Sequence, residues 1–318
     1  MSSAIEAIDV ARDYGGASAL RGVSVSIEPG ELFGLVGPDG AGKTTFLRIL
    51  AGLLGMSAGS VRIDGIDVRS HPAQVKARIG YMSQRFSLSE TLTVAENLLY
   101  VSEIWHVPEG ERGKRISRLL EFSRLGPFQD RLTRNLSGGM KQKLSLCACL
   151  IHQPQILLLD EPTIGVDPVS RRDFWLILYD LMQEGSTILL STPYMDEAER
   201  CGRVGFLLDG QLIACGSPTS LKAELHTAIL DVRCADPRRA RRALQHVPTL
   251  SDAVSFGEHM HITIPRSGFD PDAGLQALRG AGIDVRDWQI REPSLEDVFL
   301  SYIHRRRATA ADTGGSPS

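Results

Sequence analysis

Residues 37–45 read GPDGAGKTT, and this stretch decides how the rest of the chain is interpreted. It fits the pattern G-x-x-x-x-G-K-[ST] and lies between an apolar run typical of a strand and another typical of a helix. Glycines let successive amide N–H groups point at one anion, and the positive end of the following helix adds to the attraction. Lys43 can reach the terminal phosphates of a nucleotide, and the Thr44 hydroxyl can ligate Mg²⁺. The loop residues predicted to bind are Gly37, Pro38, Asp39, Gly40, Ala41, Gly42, Lys43, Thr44 and Thr45.

Two carboxylates, Asp160 and Glu161, directly follow the apolar run ILLL. Asp160 is placed to join the Mg²⁺ shell, and Glu161 is placed to polarise an attacking water. Phosphoryl transfer needs these parts beside a lysine. The alternative is a pair of acids that caps a strand, just as residues 37–45 could be a plain glycine-rich turn. Both alternatives are less favoured, because the loop at 37–45 and the carboxylate pair occur in the same chain.

A second glycine-rich segment, LSGGMKQ at residues 136–142, precedes a predicted helix. Ser137 is a good N-cap, and Gly138 and Gly139 expose the backbone at a helix start. These three residues predict a second phosphate-binding surface, separate from the first loop. A flexible turn before a helix is the alternative.

Composition limits the function classes. The chain has 318 residues, 42% of them apolar, and its net charge of −3 comes from 35 basic and 38 acidic side chains. This balance does not support a nucleic-acid-binding surface. Five cysteines without paired spacing indicate a reducing compartment, and buried helix cysteines are favoured over a thiol site at Cys147 and Cys149. No signal peptide or membrane span is predicted, so a membrane role would require spanning segments from another chain.

The order of apolar runs predicts an α/β fold. Strand and helix patterns alternate up to about residue 218, which indicates a parallel sheet covered on both faces. Helical spacing replaces them over about residues 86–152 and predicts a helical insertion. Residues 219–304 predict a small C-terminal α+β domain, and 305–318 a disordered tail. The arginine-rich stretch at 238–242 is interpreted as a solvated helix face, with contact to anionic lipid or a partner as the alternative.

The motifs together resemble the ATP-binding subunits of ABC transporters. GPDGAGKTT, Gln84 after a strand, LSGGMKQ, ILLLDEP and the loop at 165–167 occur in the order typical of that family, over about residues 5–221. The segment EPSLEDVF at 292–299 resembles the accessory domain of bacterial drug-exporter ATPases. The resemblance implies a P-loop NTPase core for residues 1–218, the substrate ATP and the cofactor Mg²⁺.

The resemblance also implies individual roles. Tyr14 would stack on adenine, Gln84 would join the Mg²⁺ shell and sense the membrane subunit, and Asp167 would communicate across a head-to-tail dimer. Each ATP would lie between one subunit's phosphate loop and the other's Ser137–Gly139 segment. The helical insertion would dock on a membrane permease. The chain would then lie peripherally at the cytoplasmic face of the inner membrane.

Two positions depart from the family pattern. Pro193 stands where the family usually has histidine, and proline offers neither an imidazole nor a backbone N–H. Asp39 stands where asparagine is usual and places a carboxylate near the triphosphate. Both changes affect the site on this chain's own loop, so the sequence suggests a heterodimer with a second ABC ATPase. A homodimer stays open because Glu161 is retained.

The predicted function is therefore an ATPase that couples ATP hydrolysis to export through a separate permease. A soluble nucleotide-binding regulatory protein with little turnover is the alternative. The sequence does not identify the transported substrate.

Overall fold

The computed structural model describes residues 3–225, 227–244, 253–266, 270–280 and 282–313. The chain divides into two compact units between Ser217 and Pro218. The strands of the first unit are β1 (Ile5–Tyr14), β2 (Ala17–Ile27), β3 (Leu32–Val36), β4 (Ala58–Ile63), β5 (Ile66–Asp67), β6 (Ile79–Met82), β7 (Ile156–Asp160), β8 (Thr187–Thr192), β9 (Arg203–Leu208) and β10 (Gln211–Gly216). Its helices are α1 (Lys43–Leu50), α2 (Pro72–Arg78), α3 (Val94–Ile104), α4 (Glu109–Phe122), α5 (Gly138–Leu150), α6 (Pro168–Gln183) and α7 (Met195–Ala198).

A six-stranded sheet organises the first unit. Its order is β10-β9-β3-β8-β7-β6, and all neighbours are parallel except β10 and β9. Every residue of β3, β7 and β8 is buried, as expected for strands covered on both faces. The predicted parallel sheet is present, and its carboxyl edge gathers the ends of four strands that are distant in sequence.

A second sheet lies beside it, with the order β2-β1-β4-β5 and antiparallel pairing. The alternation of strands and helices does not predict this separate sheet. The two sheets share one hydrophobic core, in which Phe33 and Phe46 are fully buried with Ile5 and Ile27. Leu20 of β2 belongs to the same core, so the antiparallel sheet is held next to α1 and the loop before it.

The helical insertion has its own small core. Helices α3, α4 and α5 bury Val94, Leu98, Leu120 and Leu144 against one another, with short 3₁₀ turns at Gly126–Phe128 and Thr133–Asn135. Thr93 caps α3 in a reciprocal capping box with Glu96. The helical spacing seen in the sequence therefore corresponds to helices, in agreement with the predicted insertion.

The second unit is a four-stranded antiparallel sheet with helices. Its elements are α8 (Pro218–Ala223), β11 (Thr227–Cys234), α9 (Pro237–Leu244), β12 (Ala253–Phe256), β13 (His259–Pro265), α10 (Pro271–Gly280), β14 (Val285–Arg291) and α11 (Leu295–Thr313). The strand order is β12-β13-β11-β14. One sheet face buries Leu230, Val232, Met260 and Ile262 against Leu278 of α10.

The C-terminal tail differs from the sequence prediction. Disorder was expected over residues 305–318, but α11 continues to Thr313. The stretch RRRATAA at 305–311 consists mostly of arginine and alanine, which are strong helix formers and extend the helix from its N-terminal anchor. Residues 314–318 of the predicted tail lie outside the described residues. Arg239, Arg241 and Arg242 of α9 are exposed, as expected for a solvated face.

No helix in the described part of the chain is both long enough and apolar enough to cross a bilayer.

Candidate active site

The candidate site lies at the carboxyl edge of the six-stranded sheet. The loop 37–42 follows β3, Asp160 ends β7, Ser191 and Thr192 end β8, and Gln84 follows β6. Parallel strands present their carboxyl ends at one edge, where open α/β sheets bind their ligands. Strand order therefore brings together residues as far apart in the chain as Gly37 and Thr192.

The glycines of the loop are required by close backbone packing. Gly42 has φ +107°, and a Cβ there would lie 2.6 Å from the carbonyl oxygen of Ala19. A Cβ on Gly37 would lie 2.2 Å from the carbonyl oxygen of Leu207. No larger side chain fits at either position, so the loop stays tightly curled directly before α1. Pro38, Asp39 and Gly40 form its exposed tip.

Lys43 and Glu161 form a buried ion pair. Lys43 Nζ lies 3.0 Å from Glu161 Oε1, and the two side chains are only 3% and 4% exposed. The same Nζ donates to the carbonyl oxygens of Gly37 at 2.7 Å and Pro38 at 3.0 Å. Gln84 donates from Nε2 to Glu161 Oε2 at 2.8 Å. Of the predicted catalytic residues, Lys43 and Gln84 thus each contact Glu161 directly.

Asp160 is fully buried at the end of β7. Its Oδ1 accepts hydrogen bonds from Thr44 Oγ1 at 3.1 Å and Ser191 Oγ at 2.8 Å. The hydroxyl of Tyr81 lies 3.5 Å from its Oδ2, and burial, reinforced by the Asp160 charge, raises the pKa of Tyr81. A hydroxyl and a carboxylate side by side are the hard oxygen donors that Mg²⁺ prefers, so these residues fit that ion. Among the described residues, no group of three or more His, Cys, Asp or Glu could hold a metal by itself.

The backbone at Glu161 is strained. Its φ is +49°, a left-handed conformation that costs a non-glycine residue on the order of 1–3 kcal/mol. Its N–H donates to Ser191, to the carbonyl oxygen at 3.1 Å and to Oγ at 3.0 Å. These bonds tie the turn to β8 and aim the carboxylate at Lys43.

The second glycine-rich segment lies elsewhere in the same unit. Ser137 accepts a hydrogen bond from Met140 N at 3.3 Å and caps α5, and Ser137 and Gly138 are exposed. Gly138 and Gly139 lie against the loop 165–167 and the start of α6. No hydrogen bond or ion pair joins residues 137–139 to residues 37–45 in the described structure. One chain therefore does not bring its two predicted phosphate-binding surfaces together.

Asp167 caps α6 through hydrogen bonds from Ser170 N at 2.9 Å and Val169 N at 3.1 Å. The hydrogen bonds with Ser170 lower the pKa of this exposed carboxyl. Tyr14 ends β1 with its ring exposed and the guanidinium of Arg12 stacked 4.7 Å from the ring centroid.

Sequence reasoning missed Ser191 and Tyr81. Ser191 contacts both Asp160 and Glu161, and its position at the end of a predicted strand was the available signal. Tyr81 lies in β6 next to β7, and only strand pairing places it near Asp160.

Comparisons with known proteins decide the family. A family model described as "ABC transporter" matches residues 20–164, and one described as "ATP-binding protein DrrA1-3-like, C-terminal domain" matches residues 216–303. The daunorubicin/doxorubicin resistance ATP-binding protein DrrA of Streptomyces peucetius is 33% identical over 302 residues, which are 94% of this chain and 92% of that protein. The chain belongs to the ABC transporter ATP-binding family. The predicted family is confirmed.

Other ABC relatives are similar over comparable lengths. The Nod factor export ATP-binding protein I of Paraburkholderia xenovorans (strain LB400) is 39% identical over 94% of this chain and 96% of its own. The probable multidrug ABC transporter ATP-binding protein YbhF of Escherichia coli (strain K12) is 39% identical over 90% of this chain. The chain spans about half of YbhF, 49% of its length.

Solved structures confirm the predicted P-loop core. The dimeric ATP-binding cassette MJ0796, solved in a post-hydrolysis state with ADP and Pi, is 27% identical, covers 67% of this chain and 98% of its own, and has a TM-score of 0.62. The cbiO1 subunit from Clostridium perfringens is 25% identical over 78% of this chain and 97% of its own, with a TM-score of 0.65. Family and fold together confirm the enzyme class predicted from the sequence, an ABC-type ATPase. ABC ATPases act with membrane permeases and dimerise, and nothing in these names favours the regulatory alternative.

Proposed function

We propose that this chain is the ATP-hydrolysing subunit of an exporter and works with a separate membrane permease. The observation that carries the proposal is the convergence of Lys43, Glu161, Thr44 and Asp160 at one sheet edge, within 3.1 Å of one another in pairs. Relatives named for drug resistance and Nod factor export, matched over more than nine-tenths of their length, support the direction of transport.

The loop residues Gly37 to Thr45 would bind the phosphates through backbone N–H groups and Lys43. Thr44 and Asp160 would hold Mg²⁺, with Gln84 completing its shell. When bound, the ion would supply charge neutralisation for the phosphates. Tyr14, exposed at the end of its hairpin, would stack on adenine.

Glu161 would act as the general base. Its carboxylate accepts a proton from the attacking water as the water oxygen bonds to the γ-phosphorus. The bond to the bridging oxygen then breaks, and ADP leaves with that electron pair. General-base assistance is typically worth ~10²–10⁴-fold in rate. Lys43 must exchange its contact with Glu161 for the phosphate before this step.

The segment Ser137–Gly139 would complete the site of a second ATPase subunit. Ser137 and Gly138 are exposed at the N-terminus of α5, where backbone N–H groups attract phosphate. Asp167 stands in the loop packed against this segment and would transmit contact across the dimer.

The helical insertion would dock on the permease. Helix α3 exposes apolar side chains: Leu99 is 43%, Tyr100 55% and Ile104 55% exposed, and Trp105 follows at 37%. Such a cluster on one short helix suits an apolar protein contact. Docking would hold the chain peripherally at the cytoplasmic face of the inner membrane.

The decisive experiment measures phosphate release by the purified chain with and without its permease. Glu161→Gln is expected to lower turnover ~10²–10⁴-fold, and Lys43→Ala to abolish MgATP binding. Thr187→Val, at the opposite end of β8, is the control. Unchanged nucleotide affinity in Lys43→Ala, or a permease that does not co-purify with the chain, would refute the proposal.

We further propose that the partner ATPase is a different chain. Pro193 follows Thr192 at the edge of the site but cannot donate a hydrogen bond to phosphate. The isolated chain should therefore turn over slowly, and Pro193→His should raise its rate, since one positioned donor is worth roughly 10²–10³-fold in other enzymes. Brisk, Glu161-dependent turnover by the isolated chain would instead identify a homodimer.

A further inference from the structure

Glu197 is a fully buried carboxylate outside the phosphate-binding loop. It lies in α7, directly after β8, with 0% of its surface exposed. Its Oε1 accepts a short hydrogen bond from Thr163 Oγ1, and its Oε2 accepts one from Thr192 Oγ1 at 2.7 Å. Arg171 Nε lies 3.6 Å from Oε1. Burying a carboxylate is costly unless it is paired and hydrogen-bonded, so these three contacts hold Glu197 in one place.

Each contact of Glu197 belongs to a different segment of the candidate site. Thr163 lies two residues after Glu161 in the loop that follows β7. Thr192 ends β8, one residue after Ser191. Arg171 lies in the first turn of α6. The Glu197 carboxylate therefore joins the loop after β7, the end of β8 and the start of α6.

The loop after β7, which carries Glu161 and Thr163, needs contacts that fix its conformation. The left-handed backbone at Glu161 persists only if its surroundings over-determine it. Ser191 holds the Glu161 N–H on one side, and Glu197 holds Thr163 on the other. Both anchors end on β8 or immediately after it, so the loop is fixed to that strand at two points.

The residues on either side of Pro193 belong to the same set of contacts. Tyr194 N donates to Thr192 Oγ1 at 3.1 Å, and the Arg171 guanidinium lies 4.7 Å from the centroid of the Tyr194 ring. Both neighbours of Pro193 are therefore connected to Glu197. Thr192 donates a hydrogen bond to it, and the Tyr194 ring lies against Arg171, which pairs with it.

We propose that Glu197 is a positioning residue for hydrolysis, which acts through Thr163 to hold the Glu161 carboxylate at the site. This inference rests on the proposed ATPase function. In the described part of the chain no hydrogen bond or ion pair joins Glu197 to residues 37–45, so its loss should lower the rate of the chemical step and leave ATP binding intact. A misplacement of about 1 Å costs on the order of 10²-fold in rate.

The test compares kcat and the affinity for MgATP in matched variants. Thr163→Val removes the hydroxyl at constant shape and leaves Glu197 in place, whereas Thr163→Ser keeps the hydroxyl. Thr163→Val and Glu197→Gln should each lower the Glu161-dependent kcat about tenfold to a hundredfold, with ATP affinity within about twofold. Thr163→Ser should keep at least about half of the parental rate.

Thr187→Val is the matched control, because Thr187 is a buried threonine at the end of β8 that lies away from the site, and its hydroxyl accepts a hydrogen bond from Gly30 N. If Thr187→Val lowers kcat as much as Thr163→Val, the role is structural and the inference is wrong. Unchanged kcat in Thr163→Val and Glu197→Gln would also overturn it. If Glu197→Gln does not fold, the Thr163→Val and Thr163→Ser pair decides. Parent protein that binds MgATP but shows no Glu161-dependent turnover would overturn the proposed function itself.

Discussion

Glu161→Gln is expected to weaken hydrolysis and at the same time strengthen nucleotide binding. In the structure Lys43 is paired with Glu161, and an incoming phosphate must compete with that carboxylate for the same ammonium group. Glutamine keeps an oxygen acceptor of nearly the same shape but lacks the charge. The substitution therefore removes the competitor without opening a cavity.

The size of the effect follows from the geometry of the pair. Two unit charges 3.0 Å apart attract by on the order of 5 kcal/mol at an effective dielectric constant of ~20. Most of this attraction is offset by desolvation. The difference between a charged and a neutral hydrogen bond to Lys43 is about 1–2 kcal/mol. MgATP should therefore bind about fivefold to thirtyfold more tightly to Glu161→Gln, while turnover falls ~10²–10⁴-fold.

The assay is titration calorimetry with MgATP, paired with phosphate release under the same conditions. Glu184→Gln is the control, since Glu184 is an exposed carboxylate that pairs with Arg118 just after α6. It should change neither quantity. Equal or weaker ATP binding by Glu161→Gln would refute the competition between carboxylate and phosphate. Retained turnover would refute the assignment of Glu161 as the base.

Three further predictions concern charge and burial. Asp39→Asn, at the exposed loop tip, should strengthen MgATP binding roughly twofold to fivefold in low salt, and calorimetry at high salt should show a smaller gain because exposed charges are screened. Burial raises the pKa of Asp297, but hydrogen bonds, led by that from His261, outweigh it and hold the pKa below the ordinary value. Asp297→Asn should therefore lower the unfolding free energy by on the order of 1–3 kcal/mol at pH 7 in denaturant titrations, and the loss should shrink as the pH falls below ~3.9. Burial raises the pKa of Cys147 to about 11, so iodoacetamide at pH 8 should label the exposed Cys215 and spare the buried Cys147, as peptide mass spectrometry can show.

Each of these predictions has a contradicting outcome. A gain for Asp39→Asn that does not depend on salt would mean that repulsion by the carboxylate is not its cause. A loss of stability for Asp297→Asn that is equal at pH 7 and well below pH 4 would exclude the charged carboxylate as its source. Rapid alkylation of Cys147 in the folded protein would contradict its burial.

The contiguous parts of the candidate site are recognisable in the sequence itself. The loop 37–45 is a local structure, and its glycines and Lys-Thr pair can be interpreted without knowing what lies around them. The convergence of Thr44 with Asp160 was also predictable, because both follow apolar runs typical of parallel strands. The roles assigned to Tyr14, Ser137 and Asp167 stay predictions, since one chain contains only part of the arrangement that they require.

The elements that the sequence did not predict are stabilised by contacts with neighbouring elements. Strand β14 reads VRDWQIR and is mostly exposed, so its apolar pattern is weak, yet it pairs with β11 along the sheet. The antiparallel sheet of β1, β2, β4 and β5 is equally invisible in the alternation of elements. Helix α11 exceeds its predicted end because local propensity extends a helix that begins at a well-capped start, where Ser294 and Asp297 exchange hydrogen bonds.

What the sequence determined alone is the set of reactive groups, because each motif is a short run whose residue types and spacing specify a local chemistry. What the tertiary structure decided is which of those groups meet. The order β3-β8-β7 places Ser191 between the phosphate loop and the two carboxylates. The same order lets Glu197 hold Thr163 from a position 34 residues away in the chain. Contacts between strands that are not consecutive in sequence depend on the packing of the whole sheet, and no local pattern encodes them.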